Sequence, residues 1–420
     1  MPEMTQRTDV VREVDDALMA PALVIRSESG DGIRLELLAR PQQVAELGEL
    51  LSARGFVPWG TTWARFDGDV PESVEVTGTD GAGDDALFLG GEPLPGFRNL
   101  LHPAPPVRLV LAARALVAHR GHLPADLREQ AEKAAAAGDE VWADATGLAD
   151  RLQLSGPLTM LRRLLSRPEG WTGGQRAREL ARAVAASPSA IRRLTPGRLR
   201  PVLISVSGPD GSGKSTQTVL LRESLAAIGV PAANVWAPSI RPPLPTAIRS
   251  RIRRVRRKSA ASVGVGGGSR PAAAPRPAPA RVRAVQHAWI TAVTFANAAS
   301  MWKHVWQWRN QHVLVLDRFA LDAEVKFAYW YANRRTLNVR FERRLLRALC
   351  PAADVTVLLR VAPETNFSRR ADEFTLEQFV ETHQLYAEVG AELGAVVVNG
   401  ERPKQELART IAEAVWRRLP

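Results

Sequence analysis

The feature that most constrains this chain is a glycine-rich segment directly behind a short apolar stretch. Val202–Val206 is β-rich and apolar, and the segment Gly208–Ser215 that follows has the pattern Gly-x-x-x-x-Gly-Lys-Ser. Glycines in such a pattern let the backbone turn tightly, so that its N–H groups point to one centre. A helical pattern over Gln217–Ile228 comes next and directs a helix N-terminus at the same centre. Strand, loop and helix in this order predict a site for the phosphates of a nucleotide.

The loop itself supplies the predicted binding groups. These candidate residues are Gly208, Asp210, Gly211, Ser212, Gly213, Lys214, Ser215 and Thr216. The Lys214 ammonium is expected to reach the β- and γ-phosphates of ATP, and the Ser215 hydroxyl is expected to ligate Mg²⁺. The pattern therefore predicts ATP and Mg²⁺ as cofactors.

Further apolar runs follow the loop at Val313–Leu316, Val355–Leu359 and Ala395–Val398, with helical stretches between them. Strands that alternate with helices are typical of a parallel sheet covered by helices. The sequence therefore predicts an α/β domain over residues 201–420.

Asp317 and Arg318 follow the apolar run Val313–Leu316. Ligands of open parallel sheets bind beyond the carboxyl ends of the strands. We therefore expect Asp317 to hold Mg²⁺ with Ser215, and Arg318 to grip a phosphate. A salt bridge or a helix cap at the strand end is the alternative. Arg369, which follows a later strand, either stabilises the transferring phosphate or lies on a solvated helix face.

These motifs together resemble the thymidylate kinase family of nucleoside monophosphate kinases. The likeness is carried by four segments in order: Gly208–Gln217, Val315–Phe319, Pro363–Arg369 and Phe379–Tyr386. The resemblance implies a P-loop fold and transfer of the γ-phosphoryl of ATP to a small, nucleotide-like acceptor. It also implies roles for three residues. Asp210 would face the sugar of the acceptor, Arg318 would hold its phosphate, and Arg369 would lie near the lid on the ATP side.

The chain departs from the family where the acceptor is recognised. Ala237–Arg241 stands where the family has an Arg-Glu-Pro-Gly stretch, and Phe295–Ser300 stands where it has Ala-Asp-Arg. The arginine that would contact thymine is missing, and the lid Arg369–Glu377 is short. A nucleotide-binding switch without kinase activity is therefore the alternative function. Four tryptophans near this helix either pack against the sheet or stack on a flat acceptor (Trp289, Trp302, Trp306 and Trp308).

The net charge of +12 lies in one segment. Arg241–Arg283 contains 12 lysines and arginines and no acidic residue, and the rest of the chain has 44 basic and 44 acidic residues. Its first part, Leu244–Lys258, has apolar residues at helical spacing, and Ala260–Ala280 is rich in Gly, Ala and Pro. A solvated loop, an amphipathic helix on anionic lipid or nucleic acid, and a cover for the phosphate site are the three interpretations.

The first part of the chain is predicted to be a smaller α+β domain over residues 1–154, joined by a helical linker over 155–200. Gly30–Glu36 gives it a faint resemblance to nucleotidyltransferase-like domains. Arg34 stands where that family has a metal-binding acid, so the resemblance implies an inactive binding or scaffolding module. Cys350 is the only cysteine, which suits a reducing compartment, and no apolar run is long enough to span a membrane. With no apolar segment behind a basic N-terminus, a cytoplasmic protein is expected, and homodimer formation is left open.

Overall fold

A computed structural model gives the fold of this chain. It describes residues 9–29, 32–66, 70–79, 84–119, 121–167, 171–187, 201–237, 280–308, 312–329, 339–370 and 375–419. The chain divides into two compact units. The first holds Met1–Leu199 with Ala227–Gly229, and the second holds Arg200–Ala226 with Val230–Pro420.

A seven-stranded mixed sheet forms the centre of the first unit. Its strands are β1 (Ala22–Ser29), β2 (Ile33–Ala39), β3 (Val57–Trp59), β4 (Thr62–Arg65), β5 (Glu72–Gly78), β6 (Glu92–Pro93) and β7 (Leu100–His102). They lie in the order β3-β4-β5-β2-β1-β7-β6. Side chains alternate across a strand, so that Leu35 and Leu37 of β2 are buried while Arg34 and Glu36 point to the opposite face.

Among the described residues, seven helices complete the first unit. They are α1 (Asp9–Ala17), α2 (Pro41–Ala53), α3 (Pro105–Ala118), α4 (Ala125–Ala135), α5 (Asp139–Arg151), α6 (Ser155–Leu165) and α7 (Gly173–Ala186), and a short 3-10 helix covers Asp84–Phe88. Leu161 and Leu164 of α6 are buried in one apolar core with Leu116 of α3. The helices expected as a linker thus pack into the core of the first unit, and residues 188–200 lie outside the described residues.

The second unit contains a five-stranded, all-parallel sheet. Its strands are β8 (Val202–Ser207), β9 (Ala232–Trp236), β10 (Val313–Asp317), β11 (Val355–Arg360) and β12 (Val396–Asn399). They lie in the order β12-β11-β8-β10-β9, which places the first strand of the unit in the middle. Every residue of β8 and β10 is buried. Continuous burial of this kind is expected for a parallel sheet with helices over its faces.

Helices flank this sheet. They are α8 (Lys214–Ala227), α9 (Ala280–Gln307), α10 (Ala320–Phe327), α11 (Arg340–Leu349), α12 (Pro363–Arg370), α13 (Leu376–Glu392) and α14 (Lys404–Trp416). Two apolar cores hold four of these helices to the sheet. One joins α9, α10 and α11 to β10, and the other joins α10 and α13 to β11. The α/β class predicted for residues 201–420 is confirmed by this architecture.

Several elements differ from the sequence prediction in their bounds. Helix α8 begins at Lys214, three residues before the predicted start. Strand β9 is not predicted from the sequence, because Ala232–Trp236 lacks a run of large apolar residues. In the structure most of its residues are half-buried. Most of the basic segment, residues 241–279, lies outside the described residues, as do the Thr195–Gly197 joint and residues 371–374 of the predicted lid.

Cys350 follows the last residue of α11 and is buried in the apolar core that α11 shares with α9 and α10. Burial and the charge of Glu324 raise the pKa of its thiol to about 12, so the reactive thiolate is suppressed. Within the part of the chain that the structure describes, no helix has the length and apolar character needed to cross a membrane.

Candidate functional site

The strand order of the second unit creates a crevice at the end of β8. The chain runs from β8 to β9 and β10 on one side, and later to β11 on the other side. Connections that leave a central strand in opposite directions open a gap at its carboxyl end, where ligands of such sheets bind. The glycine-rich loop, residues 208–213, follows β8 at this gap, and Asp317 with Arg318 ends the neighbouring strand β10.

Three glycines with positive φ, Gly208, Gly211 and Gly213, shape the glycine-rich loop, and two of them lie at its ends. Gly208 has φ 154°, and a Cβ atom there would lie 2.7 Å from the carbonyl oxygen of Leu359. Gly213 has φ 86°, a conformation that is costly for other residues. Helix α8 starts immediately after Gly213. The loop therefore bends at both ends and leads directly into a helix N-terminus, as the sequence predicts.

Lys214 is folded onto the glycine-rich loop. Its ammonium donates to the carbonyl oxygens of Gly208 and Pro209, at 2.7 Å each, and lies 3.6 Å from the Asp210 carboxylate. The side chain is 5% exposed. Burial lowers the pKa of Lys214, while the charges of Asp322 and Asp210 act against that effect. The ammonium is thus desolvated and held at the centre of the loop.

The two predicted metal-binding residues are in direct contact. The Ser215 hydroxyl donates to Oδ2 of Asp317 over 2.5 Å. Oδ1 of Asp317 is buried and has no hydrogen-bond partner among the described residues. Mg²⁺ prefers hard oxygen ligands and takes only one or two from protein, with phosphate and water oxygens as the rest. The Ser215–Asp317 pair fits that preference. Among the described residues, no group of three or more His, Cys, Asp or Glu side chains is placed to hold a metal ion by itself.

Arg318 and Asp210 form an ion pair across the crevice. Nη2 of Arg318 lies 2.7 Å from Oδ1 of Asp210. Arg318 has φ 68°, a left-handed conformation that is uncommon for a residue with a side chain. Burial opposes ionisation of Asp210, but the charges of Lys214 and Arg318 outweigh burial and lower its pKa. Arg318, which follows β10, thus forms a salt bridge with Asp210 of the glycine-rich loop.

Arg369 is also brought to the loop. Its Nη1 donates to the carbonyl oxygen of Gly211 at 2.9 Å, although its side chain is exposed. Ser212 has a buried hydroxyl with no partner among the described residues, and Thr216 is exposed on α8. The structure therefore brings Lys214, the Ser215–Asp317 pair, the Arg318–Asp210 pair and Arg369 together at the glycine-rich loop, whereas no hydrogen bond or ion pair links the Thr216 side chain to this group among the described residues.

Two charged residues of α10, Asp322 and Lys326, are not predicted as site residues from the sequence. Asp322 and Lys326 are four residues apart on a helix that is otherwise mostly apolar, and this spacing was the available signal. Asp322 is 1% exposed and accepts a 2.7 Å hydrogen bond from the Tyr386 hydroxyl. Burial and the charge of Arg318 lower the pKa of Lys326.

A cavity of about 90 Å³ lies beside Asp210 and was also missed. Its walls include Pro209 and Asp210 of the loop, Val325 and Lys326 of α10, and Phe379 and Tyr386 of α13. The lining is mainly apolar. Because its walls come from three separate parts of the chain, only the folded structure brings them together.

Of the four tryptophans near α9, one packs against the core and three are exposed. Trp289 packs on the core, but the exposed fractions are 52% for Trp302, 65% for Trp306 and 41% for Trp308. Trp302 donates to the carbonyl oxygen of Leu349. In the Phe295–Ser300 segment, Phe295 is exposed and Asn297 is buried, with its amide donating to the Val293 carbonyl. Ala237 is buried, and the following residues through Arg241 lie outside the described residues.

In the first unit, Arg34 stands where the resemblance predicts a metal-binding acid, and it contacts two glutamates. Nη2 of Arg34 lies 3.6 Å from Glu36 and 3.4 Å from Glu75, which is the neighbour of Glu36 on β5. Burial and the Glu75 charge raise the pKa of Glu36 to about 7. Asp31 lies outside the described residues.

Comparison with known proteins adds no relative to this description. A scan against protein-family models gives no match, and a search of the curated proteins gives none either.

Proposed function

We propose that the second unit is a P-loop kinase of the thymidylate kinase type, which transfers the γ-phosphoryl of Mg-ATP to a small nucleotide-like acceptor. One observation carries this proposal. Lys214, the Ser215–Asp317 pair and the Arg318–Asp210 pair converge at the carboxyl end of the central strand. Each is a group that phosphoryl transfer needs, and the topology brings them to one crevice.

The loop is proposed to bind the phosphates of ATP. Its backbone N–H groups and the start of α8 favour negative charge, and the buried Lys214 ammonium lies among them. The carbonyl oxygens of Gly208 and Pro209 now accept from that ammonium. On binding, phosphate oxygens would take their place, so that charged acceptors replace neutral ones.

Ser215 and Asp317 are proposed to hold Mg²⁺. The buried, unpartnered Oδ1 of Asp317 and the adjacent hydroxyl of Ser215 are hard oxygen donors at the edge of the loop. When bound, the ion would neutralise charge on the β- and γ-phosphates.

In the transfer step, an oxygen of the acceptor forms a bond to the γ-phosphorus, and the bond from that phosphorus to the bridging oxygen of ADP breaks. The chain contributes by positioning and by stabilising charge. The Lys214 ammonium stabilises the negative charge of the phosphates bound by the loop. Arg318 orients the acceptor, and Arg369, bonded to Gly211, supplies a second guanidinium near the loop.

A nucleotide-binding switch is the second candidate. The changed segment Phe295–Ser300 favours it, because in the family this segment reads the base of the acceptor, whereas here Phe295 faces solvent and Asn297 is bonded to its own helix. For the first unit we propose a binding or scaffolding role. Arg34 on β2 stands where the nucleotidyltransferase-like family has a metal-binding acid, and it contacts Glu36 of the same strand.

ADP release from Mg-ATP tests the proposal, measured with and without a panel of nucleoside monophosphates and nucleosides. We expect acceptor-dependent release in the wild type and none with Lys214→Ala, which removes the charge at the centre of the loop. Lys303→Ala, at an exposed position on α9, is the matched control. Binding of ATP without any acceptor-dependent release would favour the switch, and equal release by Lys214→Ala would contradict a P-loop mechanism.

A further inference from the structure

One side of helix α9 is apolar although it faces solvent. The exposed residues on that side recur every three or four positions: Ala284, Ala288, Ala292, Phe295, Ala299, Trp302 and Trp306. Residues at this spacing lie along one face of a helix, and a face in contact with water normally carries charged and polar residues. Among the side chains of α9 that the structure describes, only Lys303 and Gln307 are both polar and exposed. We call the seven exposed apolar residues the α9 face.

Three aromatic rings make up most of the α9 face. The exposed fractions are 53% for Phe295, 52% for Trp302 and 65% for Trp306. The three positions span about 16 Å along the helix. Aromatic side chains have areas of about 150–250 Å², so these three together expose on the order of 300 Å². The indole N–H of Trp302 donates to the carbonyl oxygen of Leu349, so that this ring has no polar atom left to present. Apolar surface of this extent is typical of an interaction site.

The sequence around the α9 face carries charge of one sign. No Asp or Glu occurs between Glu223 and Asp317, a stretch that contains all of α9. The segment Arg241–Arg283, which runs into the start of α9, contributes 12 lysines and arginines. Basic segments without acidic residues are attracted to anionic phospholipid headgroups, and each cation near such a surface strengthens binding by about fivefold. The apolar face and the basic segment are thus adjacent in the chain.

We propose that the α9 face docks on an anionic phospholipid bilayer, with the helix lying along the membrane surface. The rings of Phe295, Trp302 and Trp306 would enter the boundary between headgroups and acyl chains, where tryptophan is favoured and apolar side chains leave water. The lysines and arginines of the adjoining segment would be attracted to the anionic headgroups. This docking surface goes beyond the proposed function and does not depend on it.

Two other partners fit these features less well. Nucleic acid would compensate the basic charge, but Arg241–Arg283 has no aromatic residue to stack on bases, and a polar phosphate backbone would not cover the α9 face. A second copy of this chain would cover the α9 face but would add positive charge instead of compensating it. An anionic bilayer satisfies both features, because it combines negative headgroups with apolar acyl chains.

Co-sedimentation of the full chain with phospholipid vesicles tests the inference. Vesicles of phosphatidylcholine alone are compared with vesicles of phosphatidylcholine and phosphatidylserine. Ala299→Glu places an acid in the middle of the α9 face without removing a large side chain, and Ala299→Leu enlarges the apolar area there. Ala181→Glu makes the same charge change at an exposed position of α7. Circular dichroism reports the fold of each variant, and sedimentation without lipid reports whether copies of the chain associate.

We expect the wild type to bind vesicles that contain phosphatidylserine about tenfold or more tightly than vesicles of phosphatidylcholine alone, and to be released as the salt concentration rises. Ala299→Glu should weaken this binding by about tenfold, Ala299→Leu should retain or strengthen it, and Ala181→Glu should leave it unchanged. Absence of binding to anionic vesicles, or equal binding by Ala299→Glu and the wild type, would overturn the inference. Without vesicle binding, self-association that Ala299→Glu abolishes would assign the α9 face to contact between copies, and binding to an RNA oligonucleotide would assign the basic segment to nucleic acid.

Discussion

The Ser215 hydroxyl and the Asp317 carboxylate are 2.5 Å apart, although 102 residues separate them in the chain. Ser215 belongs to the first turn of α8, and Asp317 is the last residue of β10. Parallel pairing of β10 with β8 brings both to the same end of the sheet. The second oxygen of Asp317 remains buried without a partner among the described residues. Such a group is costly, which is the physical reason to expect that it serves a ligand.

Asp317→Asn is therefore expected to impair Mg²⁺ binding more than folding. An amide offers one neutral oxygen in place of two charged ones, so the apparent affinity for Mg²⁺ should fall on the order of tenfold to a hundredfold. Titration of Mg²⁺ in the ADP-release assay measures this change. Asp150→Asn on the first unit is the control, because Asp150 is exposed and its partner is Ser155. Equal Mg²⁺ dependence in wild type and Asp317→Asn would place the ion elsewhere.

Arg318 is predicted to show a conflict between stability and activity. Its left-handed backbone, with φ 68°, costs about 1 kcal/mol for a residue with a Cβ atom and nothing for glycine. Arg318→Gly should therefore be more stable than Arg318→Ala by about that amount. The exposed helical residue Glu388 is the control. There Glu388→Gly should be less stable than Glu388→Ala by a similar amount, because glycine disfavours a helix. Thermal unfolding of the four variants measures both differences.

Both Arg318 variants should lose acceptor binding, because each lacks the guanidinium that now pairs with Asp210. Their Mg-ATP affinity should stay close to that of the wild type. If Arg318→Ala is the more stable of the two, the backbone at this position is not strained, and its conformation needs another explanation.

The site divides into a part that the sequence predicts and a part that it does not. The glycine-rich loop and Asp317–Arg318 are predictable because local backbone geometry and strand ends impose residue types at fixed spacing. Asp322 and Lys326 carry no such constraint. Their importance depends on the packing of α10 against α13, which places Tyr386 on Asp322, 64 residues away.

The fold divides in a similar way. Apolar runs such as Val313–Leu316 identify buried parallel strands directly, whereas β9 and the two-residue strand β6 depend on their neighbours for pairing. The role of α6 also depends on tertiary contacts. Its apolar stripe fits either a linker helix or a core helix, and only the contacts of Leu161 and Leu164 distinguish the two.

Glu36 should make the first unit less stable as the pH rises through 7. Its carboxyl is protonated up to a pKa of about 7 in the folded state, against an ordinary value of 4.5, because burial and the neighbouring Glu75 charge disfavour ionisation. Between these values the folded state holds a proton that the unfolded state has released, so stability falls with rising pH. Chemical unfolding between pH 4.5 and 8 measures the slope. Glu36→Gln should flatten it, and Glu129→Gln, at an exposed position on α4, should not.

Tyr386→Phe should destabilise the second unit through Asp322. The variant keeps the ring in the cavity wall but removes the hydroxyl that donates to the buried carboxylate over 2.7 Å. Loss of one partner of a buried group costs about 1–3 kcal/mol. Asp322→Asn should reduce that cost, because a neutral amide tolerates the loss better than a carboxylate. The losses of unfolding free energy caused by the two single substitutions should then add to more than the loss in the double variant. Strict additivity would show that the Tyr386 hydroxyl and Asp322 contribute to stability independently of each other, which contradicts a stabilising hydrogen bond between them.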